Sequence, residues 1–208
     1  MQKEISEKTI RRFNRISGLY KSMDRMVRDE WRRNLLSQVS GKVLEVGIGT
    51  GANLSFYPSD ITSLTGVDFS KGMLRFANEK IEKNSFLFSI QLIEADIQKL
   101  PFADNTFDSI VSSCVFCSVP DPVMGLKELR RVCKPSGKIY MLEHMRSEDK
   151  FLGLMMDLLN PLTVRLWGAN INRTTINNIE SSGLLLETEM RLMGSIMRDL
   201  VVNPNKSS

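Results

Sequence analysis

The chain has 208 residues, 42% of them apolar and 25% charged, with a formal net charge of +4. These are the proportions of an ordinary soluble globular protein, long enough to bury the core of one domain without disulfides. No run approaches eighteen consecutive apolar residues, which argues against a spanning helix, and three cysteines do not make a disulfide framework.

The start, MQKEISEKTIRRF, is polar and lacks the apolar stretch of a secretory signal, so the expected location is cytoplasmic. Charge is unevenly distributed. Residues 1–33 hold ten Lys or Arg and five Asp or Glu, a local +5, and the rest of the chain is near neutral. A nucleic-acid enzyme more often carries its positive surface on the catalytic domain, so no nucleic-acid partner is expected. The basic leader suits an anionic lipid surface; the plainer alternative is a solvated helix face.

In chain order, residues 4–39 carry Ile10, Phe13, Ile16, Leu19, Tyr20 and Met23 at helical spacing and form a predicted helical lid. From Gly41 strand and helix patterns alternate, the signature of a parallel sheet built from βαβ units. The predicted strands are Val43–Gly47, Ser63–Asp68, Ser89–Ala95, Phe107–Ser113 and Lys138–Glu143. A short helix is expected after the first strand, ending near Pro58. A second is capped by Ser70 and runs to Lys83, and a third opens at Asp121-Pro122 and ends near Pro135-Ser136-Gly137. Beyond these lie an apolar helical region at 150–168 broken by Asp157 and Pro161, a polar helix at 173–182, and strands near 184–191 and 195–202. The expected fold is α/β: a Rossmann-like, seven-strand, mostly parallel sheet with helices on both faces. One domain spans 1–208, divided into a lid (1–39), a cofactor-binding core (40–145) and acceptor-side elements (146–208).

The first strand runs into Glu45-Val46-Gly47-Ile48-Gly49-Thr50-Gly51-Ala52. Glycines at such a turn let a ligand approach bare backbone. Gly47, Gly49 and Ala52 also satisfy the dinucleotide fingerprint, with Asp68 at about the spacing of its ribose-binding acid, so the turn alone leaves a dinucleotide oxidoreductase open. Glu45 separates the two readings. It shares a strand face with Gly47, where a carboxylate repels a pyrophosphate and suits a ligand bearing ammonium and sulfonium charges.

The run Leu44–Gly51 resembles motif I of the class I S-adenosylmethionine-dependent methyltransferases. Further matches follow in order: Gly66–Ser70 with Met73-Leu74; Ala95-Asp96 with Leu100-Pro101-Phe102; Asn105–Asp108; and Glu128-Leu129 through Arg131-Val132 to Lys134–Gly137. The resemblance covers about residues 40–145. It implies S-adenosylmethionine as cofactor, with Gly47, Gly49 and Gly51 beneath its methionine portion and Glu45 near its ammonium. It also implies Asp68, at an exposed strand end, on the ribose hydroxyls. Phe69 and Met73 would flank the adenine, Asp96 and Ile97 would contact its edge, and Ser113 and Cys114 would lie beside the methionine chain. For Met73 a core position is the plainer alternative.

The segment from Arg12–Ile16 through Tyr20-Lys21 to Trp31–Arg33 is similar to the opening of the quinone-biosynthesis C-methyltransferases, with Lys21 where an Asp commonly stands. This implies Tyr20 as a lid residue over the cofactor; a buried helix tyrosine is the alternative. Cys117–Val119, Leu142–His144, Asn160-Pro161 to Trp167-Gly168 and Asn172-Arg173 resemble instead the membrane-associated methyltransferase-like thiol methyltransferases, and bacterial phospholipid N-methyltransferases share part of that pattern. These likenesses imply a small hydrophobic or lipid-like acceptor: a phospholipid amine, a quinol or a thiol. His144, the only histidine, stands at the predicted end of the fifth strand and is the candidate base for an acceptor proton; a structural histidine is the alternative. Cys114-x-x-Cys117 lacks a second cysteine pair, and a structural zinc site needs four ligands, so no metal is expected. The Met-rich stretch 150–168 reads as a pocket roof, a packing helix or a membrane-surface segment, and with the basic leader it implies weak peripheral membrane contact. Oligomeric state is not legible.

Overall fold

A computed structural model describes residues 27–207. The first two thirds of the predicted lid, with Tyr20 in them, lie outside the described residues. Its last part is α1 (Asp29–Leu36), an amphipathic helix that buries Trp31, Arg32, Leu35 and Leu36. Seven strands follow: β1 (Lys42–Val46), β2 (Ser63–Asp68), β3 (Ser89–Glu94), β4 (Phe107–Ser113), β5 (Cys133–His144), β6 (Leu185–Met193) and β7 (Met197–Asn203). They lie in the order β3-β2-β1-β4-β5-β7-β6. The first five are parallel, and β7 runs antiparallel between β5 and β6. The chain winds outward from β1 to β3 and returns to β4 on the other side of β1. The carboxyl ends of β1 and β4 therefore form a topological switch point, where open α/β sheets bind ligands.

Side chains alternate along the strands and supply two cores. Leu44, Val46, Ile110, Ile139 and Met141 face α3 (Pro122–Val132) and α5 (Thr175–Ser181), whose Leu126, Leu129 and Ile179 are fully buried. Val43, Leu64, Val111 and Leu142 face α1, with Leu74 and Ile81 of α2 (Lys71–Glu82) packed alongside. The Ser70 hydroxyl accepts the Met73 N–H at the start of α2, and the Asp121 carboxylate accepts the Met124 N–H at the start of α3. Both caps stand where the sequence places them.

Three elements depart from expectation. The helix predicted after β1 is only a 3-10 turn (Leu54–Phe56). Gly47, Gly49 and Gly51 all have positive φ (62°, 57° and 72°), so the backbone cannot enter an α-helix through them. Pro135-Ser136-Gly137 does not separate α3 from β5. It lies inside β5, where pairing with β4 jumps from Phe107–Cys133 to Ser109–Lys138 across a bulge. Gly137 is needed there because a Cβ would come within 2.7 Å of the Asp108 carbonyl oxygen. Finally, the apolar stretch is one unbroken helix, α4 (Lys150–Trp167), which runs through Pro161 and closes on Gly168 at φ 77°. Asp157 and Asn160 are tied to Arg146, Asn172 and Asn170, which holds the helix on the N-terminal side of the proline.

Candidate functional site

At the end of β1 the chain turns at Gly47, pressed against the loop that follows β4. A Cβ at Gly47 would stand 2.5 Å from Val115 Cγ2. Gly49 differs: a Cβ there would meet nothing closer than the Gly47 carbonyl oxygen at 3.8 Å. The middle of the turn therefore presents open, bare backbone. Gly51 is closed in by Leu54 and α2, and its carbonyl accepts from Lys80 Nζ (2.8 Å).

Asp68, at the end of β2, secures this turn. Its Oδ2 accepts the Gly49 N–H (3.0 Å) and its Oδ1 accepts the Ser70 N–H (2.8 Å). It does not sit at an exposed strand end; the side chain is buried. Burial raises its pKa to about 6, outweighing the backbone amides that stabilise the ionised form. Phe69 beside it is half-buried, whereas Met73 is buried in the first turn of α2.

Glu45 stands on the α1 face of β1 with its carboxylate buried and engaged. Oε1 accepts from Asn53 Nδ2 (2.7 Å) and Oε2 from the Tyr57 hydroxyl (2.9 Å), and Asn53 Oδ1 in turn accepts from Arg32 Nη1 (2.5 Å). Burial, and then the Glu45 charge, push the Tyr57 hydroxyl well above its ordinary pKa. Asn53 and Tyr57 carry no sequence pattern that distinguishes them, and sequence reasoning missed them.

After β3, Asp96 folds back on its own loop. Its carboxylate accepts the Gln98 N–H (2.9 Å) and the Gln98 side-chain amide (3.0 Å). The Ile97 side chain is buried in the core against Gly125 of α3, leaving its backbone for any contact at the edge. The structure thus brings Gly47, Gly49, Asp68, Asp96, Ser113 and Cys114 to neighbouring strand ends, while the side chains of Met73 and Ile97 point into the protein.

At the ends of β4 and β5 a group of polar residues converges on Glu143. Its carboxylate is fully buried and accepts from Ser112 Oγ (2.6 Å) and from the Val115 and Phe116 amides (3.2 and 3.3 Å). Burial raises its pKa to about 7. Glu143 thereby fixes the loop that presses on Gly47. Cys114 adopts φ 56°, unusual for a non-glycine residue, and its N–H donates to the Leu142 carbonyl (2.8 Å). Burial and the Glu143 charge hold its thiol protonated. The Cys117 thiol, pushed up to about 11, donates to the Cys114 carbonyl (3.4 Å). His144, the last residue of β5, is half-buried opposite Met197, and burial lowers its pKa, leaving a neutral imidazole near pH 7. Arg173 joins the group from the segment before α5. Its Nη2 donates to the Val119 carbonyl (2.6 Å), but its buried Nε has no hydrogen-bond partner among the described residues. One signal for Glu143 was available: an acid directly after the apolar run Ile139–Leu142.

The sheet that carries this glycine turn has the fold of solved S-adenosylmethionine-dependent methyltransferases. Residues 44–141 match the methyltransferase domain family. The chain is 39% identical over 110 residues to a phosphatidylethanolamine N-methyltransferase of Cereibacter sphaeroides, covering 53% of each protein. It is 32% identical over 151 residues to a ubiquinone/menaquinone biosynthesis C-methyltransferase of Geotalea daltonii, covering 67% of this chain and 64% of that protein. The matches thus span about half to just under two thirds of these relatives. Among solved structures, a methyltransferase dependent on S-adenosylmethionine from Aquifex aeolicus shares the fold over 96% of this chain and 98% of that one, with TM-score 0.64 and 18% identity.

Proposed function

We propose that this protein transfers a methyl group from S-adenosylmethionine to a small hydrophobic or lipid-like acceptor. The observation that carries the reading is the open backbone at Gly49, with the Asp68 carboxylate bonded to its amide: a bare platform for a ligand beside an acceptor for hydroxyl groups. When bound, the cofactor supplies an electrophilic methyl group on a positively charged sulfur. The chain's own residues hold and orient it. Gly49 offers it bare backbone, in a turn whose shape Gly47 and Gly51 set by their positive φ; Asp68 accepts from its ribose hydroxyls; Asp96 and the Ile97 backbone meet the adenine edge beside Phe69; Ser113 and Cys114 flank the methionine chain. Glu45 supplies the negative charge for the ammonium group, and Tyr20, in the leader, closes over the site.

On the acceptor side, His144 is neutral near pH 7 and able to hold a proton released by a thiol, phenol or amine. The lipid-like acceptor is supported by the apolar surface of α4 and by the substrates that the relatives' names state. Weak contact with anionic membranes, through the basic leader and residues 150–168, brings such an acceptor to the site.

Calorimetry tests the cofactor: S-adenosylmethionine or its demethylated product binds and NAD does not, and the reverse result overturns the reading. Labelled cofactor offered with quinols, thiols and phosphatidylethanolamine then identifies the acceptor.

A further inference from the structure

Helix α4 is amphipathic in the wrong sense for a helix that packs on a protein core. At 100° per residue, Leu154, Leu158, Phe151, Leu162, Met155, Leu166, Leu159 and Leu152 span an arc of about 160°, in which Arg165, near the C-terminal end, is the one charged residue. All eight are exposed, Phe151 by 75% and Leu158 by 67%. The opposite side holds Met156 and Gly153, both buried, with Asp157 and Asn160. The polar members of that side are fastened to the body. Asp157 takes a two-pronged bond from Arg146 (Nη2 2.8 Å, Nε 3.1 Å) and a third from Asn172, and Asn160 pairs with Asn170. The helix is thus pinned by its polar edge with its leucines turned outward. A contiguous apolar patch of this kind marks an interaction surface.

We infer that α4 lies along an anionic lipid surface, with its leucine face embedded among the acyl chains. This deepens the lipid-acceptor reading above and rests on it. Among the described residues no helix is long and apolar enough to cross a membrane, so α4, about 27 Å long, lies in the surface plane. The charges fit that occupant. Asp157 is turned to Arg146, so the outward charges of the helix are Lys150 and Arg165, both cations, one near each end. Long basic side chains at such positions reach back to lipid phosphates while their stems stay in the apolar layer. A second copy of the chain fits less well. A helix-pair seam buries a narrow stripe, about two positions in seven, and would leave much of this arc exposed while opposing like charges. The placement also has a functional direction. Asn170, which holds α4 through Asn160, donates from both its backbone and its side chain to the Cys117 carbonyl (2.8 and 3.1 Å). The membrane-facing helix is therefore joined directly to the loop beyond β4, at the acceptor end of the site.

The test uses the full chain and vesicles of phosphatidylcholine mixed with phosphatidylglycerol, read by co-sedimentation at low and high salt. Wild type pellets with the vesicles and keeps part of its binding at high salt, because insertion is apolar. The Leu158→Glu/Leu162→Glu double variant loses vesicle affinity by about tenfold or more, as does the milder Leu158→Ser/Leu162→Ser. Both keep the wild-type circular dichroism spectrum and affinity for demethylated cofactor, since these side chains face outward. Wild type that ignores vesicles, variants that bind as well as wild type, or a concentration-dependent dimer that the variants dissolve would each overturn the inference. Methyl transfer to soluble acceptors by a protein that ignores vesicles sinks the inference alone. Vesicle binding without transfer to any acceptor leaves it standing and sinks the functional reading.

Discussion

Gly49 and Asp68 divide the work of the turn between conformation and charge. Gly49→Ala must hold a Cβ at φ 57°, a cost of about 1 kcal/mol, and the space around it is otherwise open. We expect the variant to fold, with a melting temperature lowered by only a few degrees. Its affinity for demethylated cofactor should fall far more than that stability loss accounts for, because the added methyl occupies the platform. Equal affinity in the folded variant, measured by calorimetry, would rule out close approach at this backbone. Asp68→Ala should behave differently. It leaves the Gly49 and Ser70 amides without their acceptor, so it costs both stability, about 1–3 kcal/mol, and ligand affinity, on the order of tenfold to a hundredfold. Were Asp68 needed only for ligand binding, thermal melts of the free protein would not change.

Among the elements, α4 stands apart because few core contacts hold it. Among the described side chains Met156 is its one large buried member, and the Arg146–Asp157–Asn172 cluster and the Asn160–Asn170 pair supply much of its remaining attachment. Exposed ion pairs contribute little singly, but here one carboxylate serves three donor atoms in two side chains. Asp157→Ala should therefore loosen α4 without unfolding the sheet. Hydrogen exchange followed by mass spectrometry should show α4 amides exchanging roughly three- to tenfold faster, with those of β1 and β4 unchanged. Uniform acceleration across the chain would mean that the cluster supports the whole fold. The leucine arc was visible in the sequence as an apolar, methionine-rich stretch, but its direction was not. Periodicity reports that a helix has two faces; only the partners of Asp157 and Asn160 show which face turns outward.

For the whole molecule, the two buried carboxylates set a common pH dependence. Asp68 titrates near 6 and Glu143 near 7, each raised by burial above its ordinary range. The native state thus binds these protons more tightly than the unfolded chain. Their contribution to stability is fully present below about pH 4 and is lost as pH rises through about 6–7. Urea denaturation of the free protein should show this part of the stability falling between about pH 4 and 7. Glu143→Gln, which keeps an oxygen acceptor but cannot ionise, should flatten the profile by on the order of 3 kcal/mol. Coincident profiles for wild type and variant would show that Glu143 ionises in the native state as readily as in the unfolded chain. The proposed ligand contact acts in the opposite direction: if ribose hydroxyls donate to Asp68 they favour its ionised form, so cofactor affinity should weaken as pH falls below about 6.

The order of the elements, the glycine turn, the caps at Ser70 and Asp121 and the exact span of β4 were legible in the sequence. Each depends on chemistry within a few residues: alternation along a strand, φ > 0 at glycine, a side-chain oxygen meeting an amide three positions on. The tertiary structure decided whatever depends on residues far apart in the chain. Pro135-Ser136-Gly137 has the composition of a turn, yet pairing with β4 draws it into a strand. Asp68 and Glu45 have the positions of ligand-facing acids, yet amides and hydroxyls of the neighbouring loops already engage both. Glu143 stood beside the more conspicuous His144 and emerged as the organiser of a loop only when β4 and β5 were placed together. Local preferences are encoded residue by residue, whereas burial, and with it the charge state of a carboxylate or the outward face of a helix, belongs to the packed molecule.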